Sequence, residues 1–540
     1  MNSTATQQIG WHASGSVGAV AAGGAQAVAA GIQLLQGGGN AADAAAATLL
    51  ALTITDHGNF AIGGEVPLII YDARKDRVRV LCGQGRAPLS EEAIQWYMEH
   101  GIPTNGDMKA APVPGAVDLC VTLLKLYGTR TFAEAVEPTL ALLDAGGRDW
   151  YPRLAVTLRK MIETERSRAG TREDNLQAAV HRFYRGDIAD DLEAWYISKG
   201  GFLRKKDLAA HVTRVEDPVT IQHKGYTICK CNTWTQGPYL LQALRLLEGF
   251  DLQKMGRLSA DYIHVIVEAI KLGMADRDEY YGDPLFADVP LAALLSDEYT
   301  ALRRPLIDML AASTEARPGD PCGMKALKGP GVYHPGPGGT TTCVVADRWG
   351  NVVSATPSCN VFGDKGDGGA TGVTHGNRLR SLNTAPGHPN CIQPGKRPRI
   401  TLTPTMVLQE GKPVLAISVA GGDLQDQTTL NVLLNHIEFG MMPQEAVTAP
   451  RFATQHHQNS FDPNPQRPQA FVTAAGLTVQ DEVPEATRTD LSRRGHKLTA
   501  TAGPIAHPVM LYVDRETGTL YAAGDPAADR HAAAIDQAAT

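Results

Sequence analysis

The chain has 540 residues, longer than one ordinary core, and its length alone suggests roughly two to four domains. Its 43% hydrophobic and 20% charged residues are ordinary for a globular protein in water, and 55 glycines against 6% aromatics point to close backbone packing and many turns. A net charge of −7 gives no basic footprint, so neither nucleic acid nor a membrane surface is expected as a partner.

The opening Met1-Asn2-Ser3-Thr4 has no positive region before an apolar stretch, so no secretory signal is expected and the cytoplasm is the expected compartment. The run Ala41 to Leu52 is too short to span a bilayer and carries Asp43. Of eight cysteines only Cys229 and Cys231 lie close together, a spacing that is neither a redox pair nor a zinc knuckle. Two such positions share a strand face, which leaves a local pairing open beside free thiols in a reducing cytoplasm.

In chain order, Ala22 to Gln36 reads as a helix stopped by Gly37-Gly38-Gly39, and Asn40 can cap a second, Ala41 to about Thr53. Small side chains would let this helical hairpin pack tightly. Val66 to Asp72 reads as a buried strand, and Arg77 to Leu81 as its antiparallel partner. Beyond it, Arg86 leaves the sheet on a glycine turn, either as an anion ligand or as a solvated loop cation. Gly115 to Val212 is helical in pattern, Val219 to Ile228 is strand, and Gly237 to Leu247 and Ala260 to Ala275 are amphipathic helices. The polar run Ala275 to Pro284 is expected to tie a helix end to a loop. Arg317 to Gly339, rich in Pro and Gly, suits an exposed, mobile linker.

That stretch runs into Thr340-Thr341-Thr342 and a β-branched strand. Threonine is a weak nucleophile without a base beside it. Its own α-amine can serve, but only where the chain is cut immediately before it. Such an amine has a pKa of about 7.7–8.0, close enough to neutrality to take the hydroxyl proton. Gly339–Thr340 is therefore expected to be cut by the protein itself, leaving Thr340 as the N-terminal nucleophile of an amide hydrolase. Thr340 to Ala346 and Val352 to Thr356 form a hairpin, with Ser358 and Asn360 just beyond it. Thr403 to Leu408 and Pro413 to Val419 form another strand pair, ending in Ala420-Gly421-Gly422-Asp423 before a helix from Gln425 to Ile437. Glycine N–H groups between a strand and a helix N-terminus suit an oxyanion, and a plain tight turn explains them equally well.

These features together resemble the gamma-glutamyltransferase family of N-terminal-nucleophile hydrolases, from about Gly15 to Gly524. The motifs are Gly37 to Ala45, Val113-Pro114-Gly115, Ala275-Asp276-Arg277 with Tyr281 to Pro284, Thr340 to Asp347 with Gly350-Asn351 and Asn360, Lys396-Arg397-Pro398 through Thr405, Gly421-Gly422, and Ala449 to Phe452. The resemblance implies an α+β fold, a four-layer αββα sandwich made by two fragments of one precursor. Residues 1–339 would be the large fragment and 340–540 the small one, paired with each other. It implies no metal or organic cofactor, and a small-molecule amide as substrate. Thr340 falls on the nucleophile, Ser358 on the hydroxyl that assists its amine, Asn360 on a substrate-binding asparagine, and Gly421 and Gly422 on the oxyanion hole. Family members are often exported.

Departures concentrate where the substrate would be gripped. Gln84 stands where the family has an arginine for the substrate carboxylate, with Arg86 two residues on. Gly376 to Ser381 carries Arg378 and Arg380 where the family has an acid for the α-ammonium, and Ile400 and Thr401 replace two serines. The loop between Asn383 and Gly395 is short, so the lid found over some members is expected to be missing. Losing an acid and gaining cations disfavours an ammonium and favours an anion. The expected substrate is thus an amide of a carboxylate-bearing acyl group, glutaryl or oxalyl in type. The alternatives are a genuine gamma-glutamyl hydrolase or transpeptidase acting on glutathione-like substrates, and an uncleaved relative that only binds.

Overall fold

The computed structural model describes residues 8–104, 106–167, 169–329, 340–359, 361, 367–461 and 472–537. Alternation along its strands divides the interior into three layers of apolar contact. Strand β1 (Gly18–Gly23) sends Val20 and Ala22 towards helices and Ala19 and Ala21 the other way. Strands β2 (Val66–Asp72), β3 (Arg77–Gly83), β4 (Cys343–Asp347) and β5 (Val352–Ala355) complete most of this sheet. Its spatial order is Arg530–Ile535, β1, β4, β5, β2, β3, Arg214–Glu216, antiparallel throughout.

A second antiparallel sheet stacks on the first. It contains β6 (Thr405–Gln409) and β7 (Lys412–Ala420), flanked by His507–Val513 on one side and Tyr226–Lys230 on the other. Met406 and Ala416 meet Ala19, Ile69 and Val344 between the sheets, while Val407, Leu415 and Ile417 face helices outside. The period-2 alternation of each strand, buried on both faces, builds the four-layer αββα arrangement that the resemblance implies.

On the outer face of the first sheet lie α1 (Ala25–Gln36) and α2 (Ala41–Thr55). Asn40 caps α2 by accepting from Ala42 and Asp43 N–H, and Asp43 returns to Asn40 N–H at 2.9 Å. The axes approach closely: a Cβ on Gly31 would lie 2.4 Å from Thr48 Oγ1. Leu49, Leu50 and Leu52 are buried in the same helix, each contributing roughly 1.5–3 kcal/mol. Asp347, at the far end of β4, accepts from Ala41 N–H at 2.8 Å and so ties the segment after Thr340 to the first helical hairpin.

Four sequence expectations shift. The helix expected from Ala22 starts at Ala25, because β1 claims the preceding alanines. Alanine has little strand preference, and burial between layers overrides it. Val219 to Ile228 is two strands, Val219–His223 and Tyr226–Lys230, turned at Lys224 and Gly225, both at positive φ. Helix α3 (Ala260–Tyr280) runs past Ala275, so Asp276, Arg277 and Asp278 are buried inside a helix rather than at its end. Of the expected mobile linker, Arg317 and Gly319 are anchored, Arg317 to Glu268 at 2.8 Å and Gly319 N–H to buried Asp276 at 2.8 Å. Residues 330–339 lie outside the described residues. Among the described residues, no helix is long and apolar enough to cross a membrane.

Candidate active site

Thr340 stands at the open end of the β4–β5 hairpin. Thr341 N–H donates to Pro357 C=O at 2.9 Å, which sets Thr340 beside Ser358. Hydroxyls bolt this hairpin to the second sheet: Ser354 Oγ donates to Ile417 C=O and Ser418 Oγ to Ala355 C=O, both at 2.8 Å. Strand β7 then ends, and Gly421 (φ 150°) and Gly422 (φ 62°) turn the chain into α4 (Gln425–Ile437). The two layers meet where the Gln425 side-chain Nε2 donates to Thr340 Oγ1 at 3.2 Å, and both residues are buried.

Neither glycine tolerates a side chain. A Cβ on Gly421 would lie 2.7 Å from Ala506 Cβ, and one on Gly422 would lie 2.9 Å from Phe461 Cε2. Both φ values also fall where L-residues are strained. The turn is braced from α3: Arg277 donates to Asp423 at 2.5 Å and to Gln236 at 2.7 Å, and Asp423 also accepts from Ser460 Oγ at 2.6 Å. Although burial alone would raise the Asp423 carboxyl, Arg277 and its other partners bring it down to about 2, so it stays ionised. The polar run in α3 is thus structural, as expected, but it supports the glycine turn rather than a loop. A helix N-terminus with the N–H groups of Gly421 and Gly422 four and three residues before Gln425 suits developing negative charge near Thr340.

Ser358 Oγ accepts from Arg378 at 2.6 Å, and the same guanidinium donates to Glu65 at 2.5 Å. Glu65 and Ser358 also pair through their backbones, at 2.8 and 3.0 Å. Glu65 and Arg378 are each 1% exposed, a buried ion pair directly behind the hairpin end. Burial pushes the Glu65 carboxyl up, and Arg378 opposes that rise. Arg378 and Arg380 both lie over the Phe461 ring, at 5.3 and 5.1 Å. Burial, and then the neighbouring Arg378, lowers the Arg380 guanidinium to about 10.

The structure therefore gathers Thr340, Ser358, Gly421, Gly422, Arg378 and Arg380. Thr401 is buried next to Ile400, whose carbonyl accepts from Gln236 N–H at 2.8 Å, and so borders the same turn. Gln84 is fully buried and donates to Pro398 C=O at 2.6 Å, while Arg397 grips its carbonyl at 3.1 Å. The charges acting most strongly on Arg86 are Arg397, Arg214, Asp283 and Asp207, a different set from those around Arg378. Gly339 and Asn360 lie outside the described residues. Cys229 and Cys231 are both free thiols.

A metal has one candidate place among the described residues, His264, Glu268 and His496. Its chemistry does not suit a cation. Glu268 already accepts from Lys271 at 2.6 Å and Arg317 at 2.8 Å, and the two imidazoles hydrogen-bond each other at 2.8 Å. The trio is a polar strut joining α3 to the turn at His496.

Three side chains here escaped the sequence reading: Gln425, Glu65 and Phe461. Glu65 left a trace, being a lone acid leading into the apolar strand Val66–Asp72. Gln425 and Phe461 left none, since only folding brings them to Thr340 and to the guanidiniums.

The stacked sheets, with Thr340 at a hairpin end set against a glycine turn, fit an amidohydrolase of the N-terminal-nucleophile class. The family model described as gamma-glutamyltranspeptidase matches residues 27–173 and 149–535, and the chain belongs to that family. The glutathione hydrolase proenzyme of Bacillus subtilis (strain 168) is 29% identical over 94% of this chain and 89% of its own length. The solved structure of LmbA2991HD is 32% identical with a TM-score of 0.84, covering 98% of this chain and 99% of that one. The crystal structure of cephalosporin acylase from Bacillus halodurans is 26% identical with a TM-score of 0.80, covering 99% and 98%.

Proposed function

We propose that the chain cuts itself between Gly339 and Thr340, and that fragments 1–339 and 340–540 stay paired as an N-terminal-threonine amidohydrolase. The observation that carries this is the setting of Thr340 Oγ1: on a rigid hairpin end, with an amide donor on it and the Gly421–Gly422 turn just beyond that donor. In the reaction, Oγ1 attacks the substrate carbonyl, the α-amine of Thr340 takes the hydroxyl proton directly or through water, and the carbonyl electron pair moves to an oxyanion held by the glycine N–H groups. Collapse expels the amine, which leaves with the proton, and the acyl group stays on Oγ1. Water, or an acceptor amine, then releases it. The same hydroxyl acting on the Gly339 carbonyl is the maturation step. Ser358, held by Arg378, supports the amine, and Asn360 would contact the substrate.

The acyl group we assign is small and carries a carboxylate without an α-ammonium, as in glutaryl or oxalyl amides. Arg378 and Arg380 stand together over the Phe461 ring where the family has an acid, so the ground behind Ser358 favours an anion and disfavours an ammonium. The likeness to a cephalosporin acylase supports acylase chemistry beyond glutathione hydrolysis. Arg380 is the cation best placed to take the carboxylate. Gln84, Arg86 and Thr401 would line the outer part of the binding site.

Mass spectrometry of the purified protein tests the nucleophile. A fragment starting at Thr340, absent in Thr340→Ala, is expected, and a full-length chain persisting on incubation would favour a purely binding relative. Comparing kcat/KM for glutaryl-p-nitroanilide and γ-glutamyl-p-nitroanilide tests the acyl group. A preference for the γ-glutamyl compound would restore the glutathione-type assignment.

A further inference from the structure

The Gln425 side chain has a role that neither the fold nor the acyl pocket demands. It is the first residue of α4 and fully buried, and it reaches back across the glycine turn to place its Nε2 3.2 Å from Thr340 Oγ1. A helix-opening residue needs no such reach, because the first N–H groups of a helix, not its side chains, are what require partners. Thr340 Oγ1 has two lone pairs and one proton. Accepting from Gln425 orients the hydroxyl and holds its oxygen at the glycine turn.

We infer that Gln425 is a catalytic residue, the hydrogen-bond donor that holds Thr340 Oγ1 and stabilises its negative charge in acyl transfer and in self-cleavage. This rests on Thr340 being the nucleophile. In acyl transfer the O–H bond breaks, its proton passes to the amine, and Oγ1 gives its electron pair to carbon. In self-cleavage the Gly339–Thr340 C–N bond breaks, the Gly339 acyl group moves to Oγ1, and the hydroxyl proton ends on the departing Thr340 nitrogen. On deacylation, water adds to the ester carbonyl, the C–Oγ1 bond breaks, and Oγ1 recovers the electron pair and then a proton. In both directions charge on Oγ1 is transient, and a preset neutral N–H donor lowers its cost without ion pairing. A cation there would instead depress the pKa of the neighbouring α-amine and weaken it as a base.

The experiment uses the full chain with three substitutions: Thr340→Ala, Gln425→Leu and Gln425→Glu. Self-cleavage half-time is followed by gel, and kcat, KM and the pH profile are measured on the cleaved protein. Gln425→Leu keeps the bulk and loses the donor. It is expected to slow cleavage and lower kcat about 100-fold with KM nearly unchanged, the lower end for one lost donor to developing charge. Gln425→Glu keeps the shape but offers a carboxylate. It is expected to raise the pKa of the nearby amine, moving the acid limb of kcat to higher pH. A moved limb shows that position 425 faces the reacting groups, and the split of kcat from KM in Gln425→Leu then reads the loss of the donor. Cleavage and kcat within about twofold of the parent in Gln425→Leu, or an unmoved acid limb in Gln425→Glu, would overturn the inference while leaving an inactive Thr340→Ala intact. Cleavage and activity in Thr340→Ala would instead overturn the nucleophile assignment.

Discussion

Removing either partner of the Glu65–Arg378 pair should be costlier than removing both. Each is 1% exposed and they meet at 2.5 Å, so Glu65→Leu leaves a guanidinium buried beside Arg380 with its main counter-charge gone. Breaking a buried pair in this way costs about 3–5 kcal/mol, whereas replacing both members by apolar groups is often nearly neutral. Unfolding entropy near 2.1 cal/mol/K per residue over 540 residues gives about 1.1 kcal/mol/K, so each single variant should lower Tm by about 3–4 °C. The double variant, Glu65→Leu with Arg378→Met, should fall by less than the larger single loss. Differential scanning calorimetry at fixed pH and salt measures all three. Single variants that shift Tm by under about 1 °C, or a double variant that loses the sum of the two, would refute mutual compensation.

Gly421→Ala should lower kcat by about 100-fold, because its Cβ would lie 2.7 Å from Ala506 Cβ and displace the turn, and progress curves with a chromogenic amide would show it. Unimpaired turnover would place the oxyanion donors elsewhere. His375 is held neutral, Nδ1–H donating to Val373 C=O and Nε2 accepting from Tyr196, both at 2.6 Å, and burial lowers it from 6.5 to about 4. A depressed histidine adds stability that is complete above pH about 6.5 and is lost as pH falls towards 4, here about 3 kcal/mol. His375→Gln should therefore lose about 2 °C less in Tm between pH 7.5 and 4.5 than the parent, and parallel curves would contradict this. Asn40→Ala removes the α2 cap and a 2.7 Å bond to Tyr127 C=O, and should cost about 1–2 kcal/mol, read as a Tm drop of about 1–2 °C.

Much of the fold was legible because its signals are local. Helix α4 begins and ends where the pattern places it, Gln425 to Ile437, since glycines precede it and its apolar face repeats at helical spacing. Asn40 caps α2 as its position before an alanine run suggests. The β4–β5 hairpin follows from β-branched residues around Asp347 and Gly350-Asn351. Strand β1 was not legible, because Gly18-Ala19-Val20-Ala21-Ala22-Gly23 is a strand only through burial between a helix layer and a second sheet.

For the site, the sequence by itself determined the kind of chemistry. A threonine behind a Gly/Pro-rich stretch, two glycines between strand and helix, and cations where an acid is usual can all be read without coordinates. Tertiary structure alone decided which groups meet. It set Glu65, about 300 positions earlier, against Arg378, and so made one of the two cations a brace for Ser358 rather than a free ligand. It turned Gln84 into a strut under Pro398 and gave Arg86 other neighbours. It carried Gln425 onto Thr340 Oγ1 across 85 residues. The physical reason is range: capping, turns and periodicity act within a few residues, whereas pairing a buried charge or orienting a hydroxyl depends on which layers the folded chain stacks together.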